Sequence, residues 1–328
     1  MQRKYLSLIP LFLVIIFFNS CTNDEYSVPK GKTGLNNDCI KRTLGPNIVG
    51  TNIEFAYAIA LPFSEGKIIS ARVDASIASA PGTYLENRSF FTNSSGVDVG
   101  ITVGSPSVTT DTKTEVTFTK DTCASTLRFF YTIPEAARGQ SVSFTFSATA
   151  SNGQTVQYKM GPYAIVKMDM KLDLVATDNK ACYLSIADMA VYDATAAATN
   201  ADKIDLVYLY RAITGLTFNH ALVSPSASAE YLPGVTLPSG VNKSTKMSKT
   251  WALNDFNLAR LQYGIYIDDA DFQVIDFTNA PNFVINLKAQ AGTWVETADG
   301  KYRAFIYINS INNATSSMTV SVKRYQMK

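Results

Sequence analysis

His220, in Phe218-Asn219-His220-Ala221, is the one histidine of this 328-residue chain, and so the only side chain whose ordinary titration falls near neutral pH. One ring cannot build a multi-histidine metal site. A Ser-His-Asp centre would have to use this residue without any Gly-x-Ser-x-Gly elbow to present the serine. His220 therefore reads as a structural or surface residue. Asp268-Asp269-Ala270-Asp271 clusters three carboxylates, a ligand class that suits calcium, but the spacing fits no EF-hand; a solvated acidic turn after Tyr263 to Ile267 explains it as well. The sequence carries no phosphate-binding loop and no dinucleotide fingerprint. The paired carboxylates of a glycoside hydrolase meet only in space, so 27 acidic residues leave no particular pair to name. The expectation is a protein that is not an enzyme and takes no cofactor.

Flat aromatic faces are the remaining chemistry. Sugar rings present C–H patches that stack on Trp and Tyr, and such rings beside long loops anchor carbohydrate sites. Trp251 follows a Pro- and Gly-bearing stretch, Ser224 to Thr250, that contains Tyr231, while Trp294 and Tyr302 flank a turn at Asp299-Gly300. If the two groups share a rim they form a platform. The competing reading is plain core packing, favoured for Trp294, whose place in an alternating run is that of a buried residue. Of the cysteines, Cys39 could pair with Cys123 in an oxidising compartment and leave Cys182 as a buried thiol; three free thiols is the equal alternative.

The elements that must position these residues begin after an export signal. Arg3 and Lys4 precede an apolar run from Leu6 to Phe18, roughly 13 residues and short of the about 20 that cross a bilayer. Phe18-Asn19-Ser20-Cys21 then resembles the relaxed lipoprotein cleavage site of Bacteroidetes. That resemblance implies a signal peptide over 1–20, a lipidated Cys21 and a lipid anchor in the outer membrane. Thr22-Asn23-Asp24-Glu25 is similar to the acidic tag of lipoproteins exported to the cell exterior. Residues 21–37 read as the lipidated cysteine and a flexible tether. Without Arg3 and Lys4 the mature chain has 27 basic and 27 acidic residues and is formally neutral, which argues against nucleic acid as a partner.

The rest is β throughout. Ile53, Phe55, Tyr57 and Ile59 alternate with small or polar residues, and Ser141 to Ala150 does so without exception before a tight Asn152-Gly153 turn. Seven or eight short strands in 38–164 suggest an immunoglobulin-like sandwich, with an antiparallel barrel as the alternative. A second β-sandwich domain with long loops follows over 165–328, its strand Ile204 to Tyr210 central because it is apolar on both faces. Tyr263 to Ile267 and Cys182 to Tyr192 are further strand expectations, and Asn254-Asp255 should cap a short helix. The fold class is all-β, two consecutive sandwiches.

Four blocks carry a resemblance: Phe55-Ala56-Tyr57-Ala58, Tyr131-Thr132-Ile133-Pro134-Glu135-Ala136-Ala137-Arg138-Gly139, Val142-Ser143-Phe144-Thr145-Phe146-Ser147-Ala148 and Ile204-Asp205-Leu206-Val207-Tyr208. They resemble uncharacterised Bacteroidales lipoproteins known only as a domain of unknown function. More loosely, the chain is similar to surface lipoproteins that accompany polysaccharide uptake. The resemblance implies two sandwiches and carries over no site. The functional expectation is non-catalytic glycan binding at the cell surface, with polysaccharide as partner. A structural or adhesive subunit that binds other surface proteins is the alternative, with the tether or Met318 to Lys328 as a donor strand. A hydrolase comes third.

Overall fold

The computed structural model describes residues 32–212 and 218–328. The signal, Cys21 and the tether as far as residue 31 lie outside the described residues. Leu35 is already buried and Asn36 and Asn37 already pair with Ala60 and Ile59, so the fold begins two residues before the expected end of the tether.

The first half has eleven strands, nine of them in the two sheets of a sandwich: β1 (Asn36–Lys41), β2 (Asn52–Ala60), β3 (Ile68–Ala75), β4 (Tyr84–Leu85), β5 (Arg88–Thr92), β6 (Asp98–Thr102), β7 (Val108–Thr110), β8 (Lys113–Thr117), β9 (Ala124–Thr132), β10 (Ser141–Ala150) and β11 (Thr155–Ala164). One sheet runs β1-β2-β9-β4 and the other β11-β10-β3-β8-β7, while β5 and β6 form a separate hairpin. Strict alternation in β2 and β10 turns every second residue inward. The two sheets meet through rings: Phe55 lies 4.9 Å from Phe144 and 5.2 Å from Phe146. Gly153, at φ 85°, supplies the positive dihedral of the β10–β11 turn.

The second sandwich is built from β12 (Asp169–Thr177), β13 (Tyr183–Ser185), β14 (Ala190–Tyr192), β15 (Leu206–Arg211), β16 (Asn219–Val223), β17 (Lys246–Trp251), β18 (Phe283–Leu287), β19 (Ala291–Glu296), β20 (Tyr302–Asn312) and β21 (Ser317–Gln326). Its sheets run β12-β21-β20-β19-β17 and β14-β13-β15-β16-β18, so β15 is central as its two-sided apolar pattern requires. Short helices α1 (Ala194–Thr199), α2 (Phe256–Ala259) and α3 (Asp269–Val274) fill the connections. Cys182 to Tyr192 is not one strand. Ser185 Oγ accepts from Asp188 N at 3.1 Å and Met189 takes φ 45°, a local turn that folds the run into the β13–β14 hairpin. Tyr263 to Ile267 makes only a single bridge, Asp255 to Ile265, and is loop. The stretch before β17 packs Tyr231, Leu232, Val235, Leu237 and Val241 against the core, so it covers the sandwich rather than standing free. Met318 to Gln326 falls within β21, paired on both sides by β12 and β20, and is no spare donor strand.

Between the sandwiches the chain does not relax into a linker. Val166 N donates to Asn47 O, and Asn47 Nδ2 to Ala164 O. Gly139 N donates to Ile165 O, and Ile165 N to Gln140 O. Arg138 Nη1 donates to Lys167 O at 2.7 Å, and the Asp269 carboxylate accepts from Lys167 N and Met168 N at 2.7 and 3.0 Å. Every polar backbone group from Ile165 to Met168, Val166 O aside, is thus held by one half or the other. A third apolar core sits at this seam, where Ile48 of the first half packs with Met168, Leu258, Ile267, Phe272, Trp294 and Phe305 of the second. Leu35–Lys328 holds together as one unit.

Candidate functional site

The expected aromatic platform does not assemble. Trp294 is 6% exposed, edge-on to Phe272 at 5.5 Å and against Phe305 at 4.8 Å. Trp251 is 62% exposed. The ladder explains the difference: Trp251 pairs with Ala291 and Ser248 with Trp294, three residues apart on one strand, so the two indoles project from opposite faces of the same sheet. Trp251 stands level with Ile308 of β20, six residues from Tyr302, about 20 Å along the strand. Tyr302 is half-buried and carries the Arg324 and Lys301 cations over its ring at 4.9 and 5.2 Å. Tyr231 is stacked on Phe283 at 3.6 Å. Of the four rings Trp251 is exposed, Tyr231 and Tyr302 are half-buried against neighbouring side chains, and Trp294 is buried.

The acidic run is not a loose turn. Asp268 is the N-cap of α3, its Oδ1 accepting from Ala270 N at 2.9 Å, and Asp271 Oδ2 accepts from Asp268 N at 2.8 Å in a reciprocal box. Asp269 is committed to the seam. All three carboxylates accept from backbone N–H groups, and among the described residues no group of three or more His, Cys, Asp or Glu side chains is gathered as a metal would need. His220 is buried: Tyr208 O–H donates to Nδ1 and Nε2–H to Asn313 Oδ1, both at 2.8 Å, and burial lowers its pKa.

Cys39, Cys123 and Cys182 are free thiols, which overturns the Cys39 to Cys123 bridge. Cys39 pairs with Tyr57 on β2, whereas Cys123 lies opposite Leu61, one strand further across and four residues along. That offset is about 10 Å sideways and about 13 Å lengthwise. A disulfide spans no more than about 7 Å between Cα atoms.

The seam itself offers a site. A groove of about 680 Å³ opens between the sandwiches, with Lys41, Asn47 and Tyr163 on one wall and Tyr266, Asp268 and Gln273 on the other. Gly45 makes the close approach: at φ 77° it lies under Tyr266, where an added Cβ would stand 2.3 Å from the ring. Phe256 leans on Tyr266 at 5.2 Å, and Leu261, Tyr263 and Ile265 of the same loop are exposed. Lys41 Nζ stands 5.6 Å over the Tyr163 ring and donates to Thr43 O; burial lowers its pKa and raises that of Tyr163. Two phenol faces with amide, ammonium and carboxylate groups between them can stack on a ring and hydrogen-bond its hydroxyls. A second groove, about 770 Å³, opens by Arg138 and Arg324, but there the guanidiniums are already paired with Glu135 and Asp169. Of the first groove's walls only the Asp268-Asp269 run was singled out from sequence, and for another chemistry; the tyrosines and Lys41 were not, because they come from stretches more than a hundred positions apart with no shared pattern.

Residues 32–165 match the family described as Domain of unknown function (DUF4466), and residues 166–327 match Domain of unknown function (DUF8576). The crystal structure of a DUF4466 family protein from Parabacteroides merdae is 50% identical, covers 90% of this chain and 99% of its own, and superposes with a TM-score of 0.85. The chain belongs to the DUF4466 family. This agrees with the resemblance of the four sequence blocks to Bacteroidales proteins of unknown function. Two pilins, the major subunit of Bacillus cereus (9% identity, 86% of this chain and 62% of that one, TM-score 0.28) and a C-terminal fragment of a Streptococcus agalactiae major pilin (13%, 62% and 88%, 0.29), are too distant to carry an argument. A search of curated proteins finds no match. Among the described residues no helix is long and apolar enough to cross a membrane.

Proposed function

We propose that this DUF4466-family protein is a lipid-anchored, outward-facing surface protein of the outer membrane that binds a glycan without turning it over, in the groove between Tyr163 and Tyr266. The observation that carries the reading is that pair of half-buried phenol rings on facing walls, with Lys41, Asn47 and Gln273 at hand for hydroxyl groups. Export is supported by the signal and by Cys21 directly after Ser20. The test is retention of soluble protein, residues 22–328, on plant, host and microbial polysaccharides, with Tyr163→Ala, Tyr266→Ala and Trp251→Ala alongside. Retention lost in the two tyrosine variants and kept in the tryptophan variant supports the groove; loss in Trp251→Ala alone moves the site to the edge of β17. Labelling of whole cells with a membrane-impermeant reagent tests the outward placement.

A second reading, an adhesive or structural subunit, draws on the β5–β6 hairpin, which lies on β9 without joining either sheet's ladder and exposes Phe91, Val97 and Ile101. Concentration-dependent oligomers abolished by Phe91→Ser would favour it.

A further inference from the structure

Lys323 is the only fully buried lysine among the described residues, on β21 with its side chain directed under the loop that carries α2. Its Nζ donates to Asp255 Oδ2 at 2.6 Å, to Ile267 O at 2.8 Å and to Asn257 Oδ1 at 3.0 Å. Since a carbonyl bond is about 1.2 Å long, Nζ stands no more than about 4.2 Å from the Asn257 Cγ. Asp255 is also fully buried and is fixed in place: Oδ1 accepts from Leu258 N at 2.9 Å and Oδ2 from Ile267 N at 2.7 Å. An amine, a carboxamide carbon and a carboxylate thus meet in the apolar seam beside Leu258, Ile267, Phe272 and Phe305. Lys323 and Asp255 are shut away from water and the half-buried Asn257 brings its carboxamide to them; burial disfavours charge on the amine.

We propose that Lys323 and Asn257 join in an intramolecular isopeptide bond, with Asp255 carrying the protons. Asp255 takes a proton from the Lys323 ammonium and frees the lone pair. Nζ attacks Cγ of Asn257, and the tetrahedral carbon forms with its negative charge on Oδ1. Asp255 passes the proton to Nδ2, the Cγ–Nδ2 bond breaks, and ammonia leaves as Nζ gives up a second proton to the carboxylate; the ammonia then takes that proton and departs as ammonium. The balance is one ammonium and one carboxamide converted to one secondary amide and one ammonium ion, with no oxidant or reductant. Burial pulls the Lys323 amine below its ordinary range in spite of the opposing pull of Asp255, which makes the neutral nucleophile accessible. The bond ties the loop bearing Phe256 and Tyr266 to the last strand, across 66 residues of chain. It stands independently of what the groove binds.

The test is a peptide map of the full-length protein, digested with trypsin after denaturation. The expected result is a branched peptide holding both Asn257 and Lys323, uncut at Lys323 and lighter than its two arms by one ammonia, and absent from Asp255→Ala and Lys323→Met. Recovery of Asn257 and Lys323 in separate linear peptides from the wild-type protein overturns the proposal. So does loss of ammonia from Asn257 without a branch, or a branch lighter by one water and attached at Asp255. The wild-type map alone decides, whatever the variants do to folding.

Discussion

The Asp269 carboxylate accepts from the backbone N–H of Lys167 at 2.7 Å and of its neighbour Met168 at 3.0 Å, so a residue of α3 holds the chain where one sandwich hands over to the other. Asp269→Ala removes both acceptors and leaves the N–H of the buried Met168 without a partner. Since orphaned donors cost about 1–3 kcal/mol, and Lys167 retains access to water, a loss near the lower end is expected. Urea unfolding followed by tryptophan fluorescence measures it; Asp269→Asn, which keeps one acceptor, should recover part of the loss.

Gly45→Ala combines a left-handed backbone with a methyl placed 2.3 Å from the Tyr266 ring. The ring must swing away or the turn must open. A cost of about 1–3 kcal/mol follows, together with a change in the groove wall that Tyr266 forms. Thermal unfolding gives the first effect; weaker retention on whichever polysaccharide binds the wild type gives the second.

The two tryptophans should behave oppositely. Trp294→Ala empties a site packed by Phe272 and Phe305 and should cost about 3–5 kcal/mol. Trp251→Ala, on an exposed strand end, should stay within about 0.5 kcal/mol of the wild type. Equal destabilisation in denaturant titrations would contradict the register.

That contrast also marks what could be read in advance. The strand Ser141–Ala150 was legible to the residue, and so was its Asn152-Gly153 turn, because a period of two and a positive-φ dipeptide are local properties. The α2 cap at Asp255 was legible for the same reason. The alternation around Trp294 already favoured core packing, whereas Trp251 stood undecided after its loop; only the pairing of β17 with β19 tells which face each takes. Cys39 and Cys123 looked bridgeable because sequence carries no lateral offset. The Asp268 to Asp271 cluster left calcium ligation and a solvated turn both open; the role of Asp269 was out of reach because its partners, Lys167 and Met168, lie about a hundred residues away. The groove was invisible for that reason too: every wall is long-range.

Burial raises the Cys39 thiol to about 12, helped by the Asp38 charge, and the Cys182 thiol to about 11. Native protein at pH 8 should therefore react with a thiol reagent slowly at both, and denatured protein should release all three of Cys39, Cys123 and Cys182 at once. Fewer thiols in denaturant would restore a disulfide.

His220 is held neutral, its folded pKa pushed below the ordinary 6.5 by burial against the weaker pull of the Asn313 hydrogen bond. The unfolded chain then binds the proton more readily than the folded one. The His220 contribution is undiminished above about pH 6.5 and falls away as pH drops from there through the folded value. Unfolding midpoints between pH 7.5 and 5 should decline, and His220→Gln should flatten that part of the decline.

The seam has a consequence for inheritance. Residues 32–165 and 166–327 match different families, as though two modules had been joined end to end. Yet Ile48 fills a core supplied by the second stretch, and Asn47 and Arg138 of the first hold backbone groups of Val166 and Lys167 in the second. A gene-level exchange with its crossover at residue 166 would swap in a partner lacking the matching cavity and acceptors. A substitution at the seam therefore alters the packing and hydrogen bonding of both stretches at once.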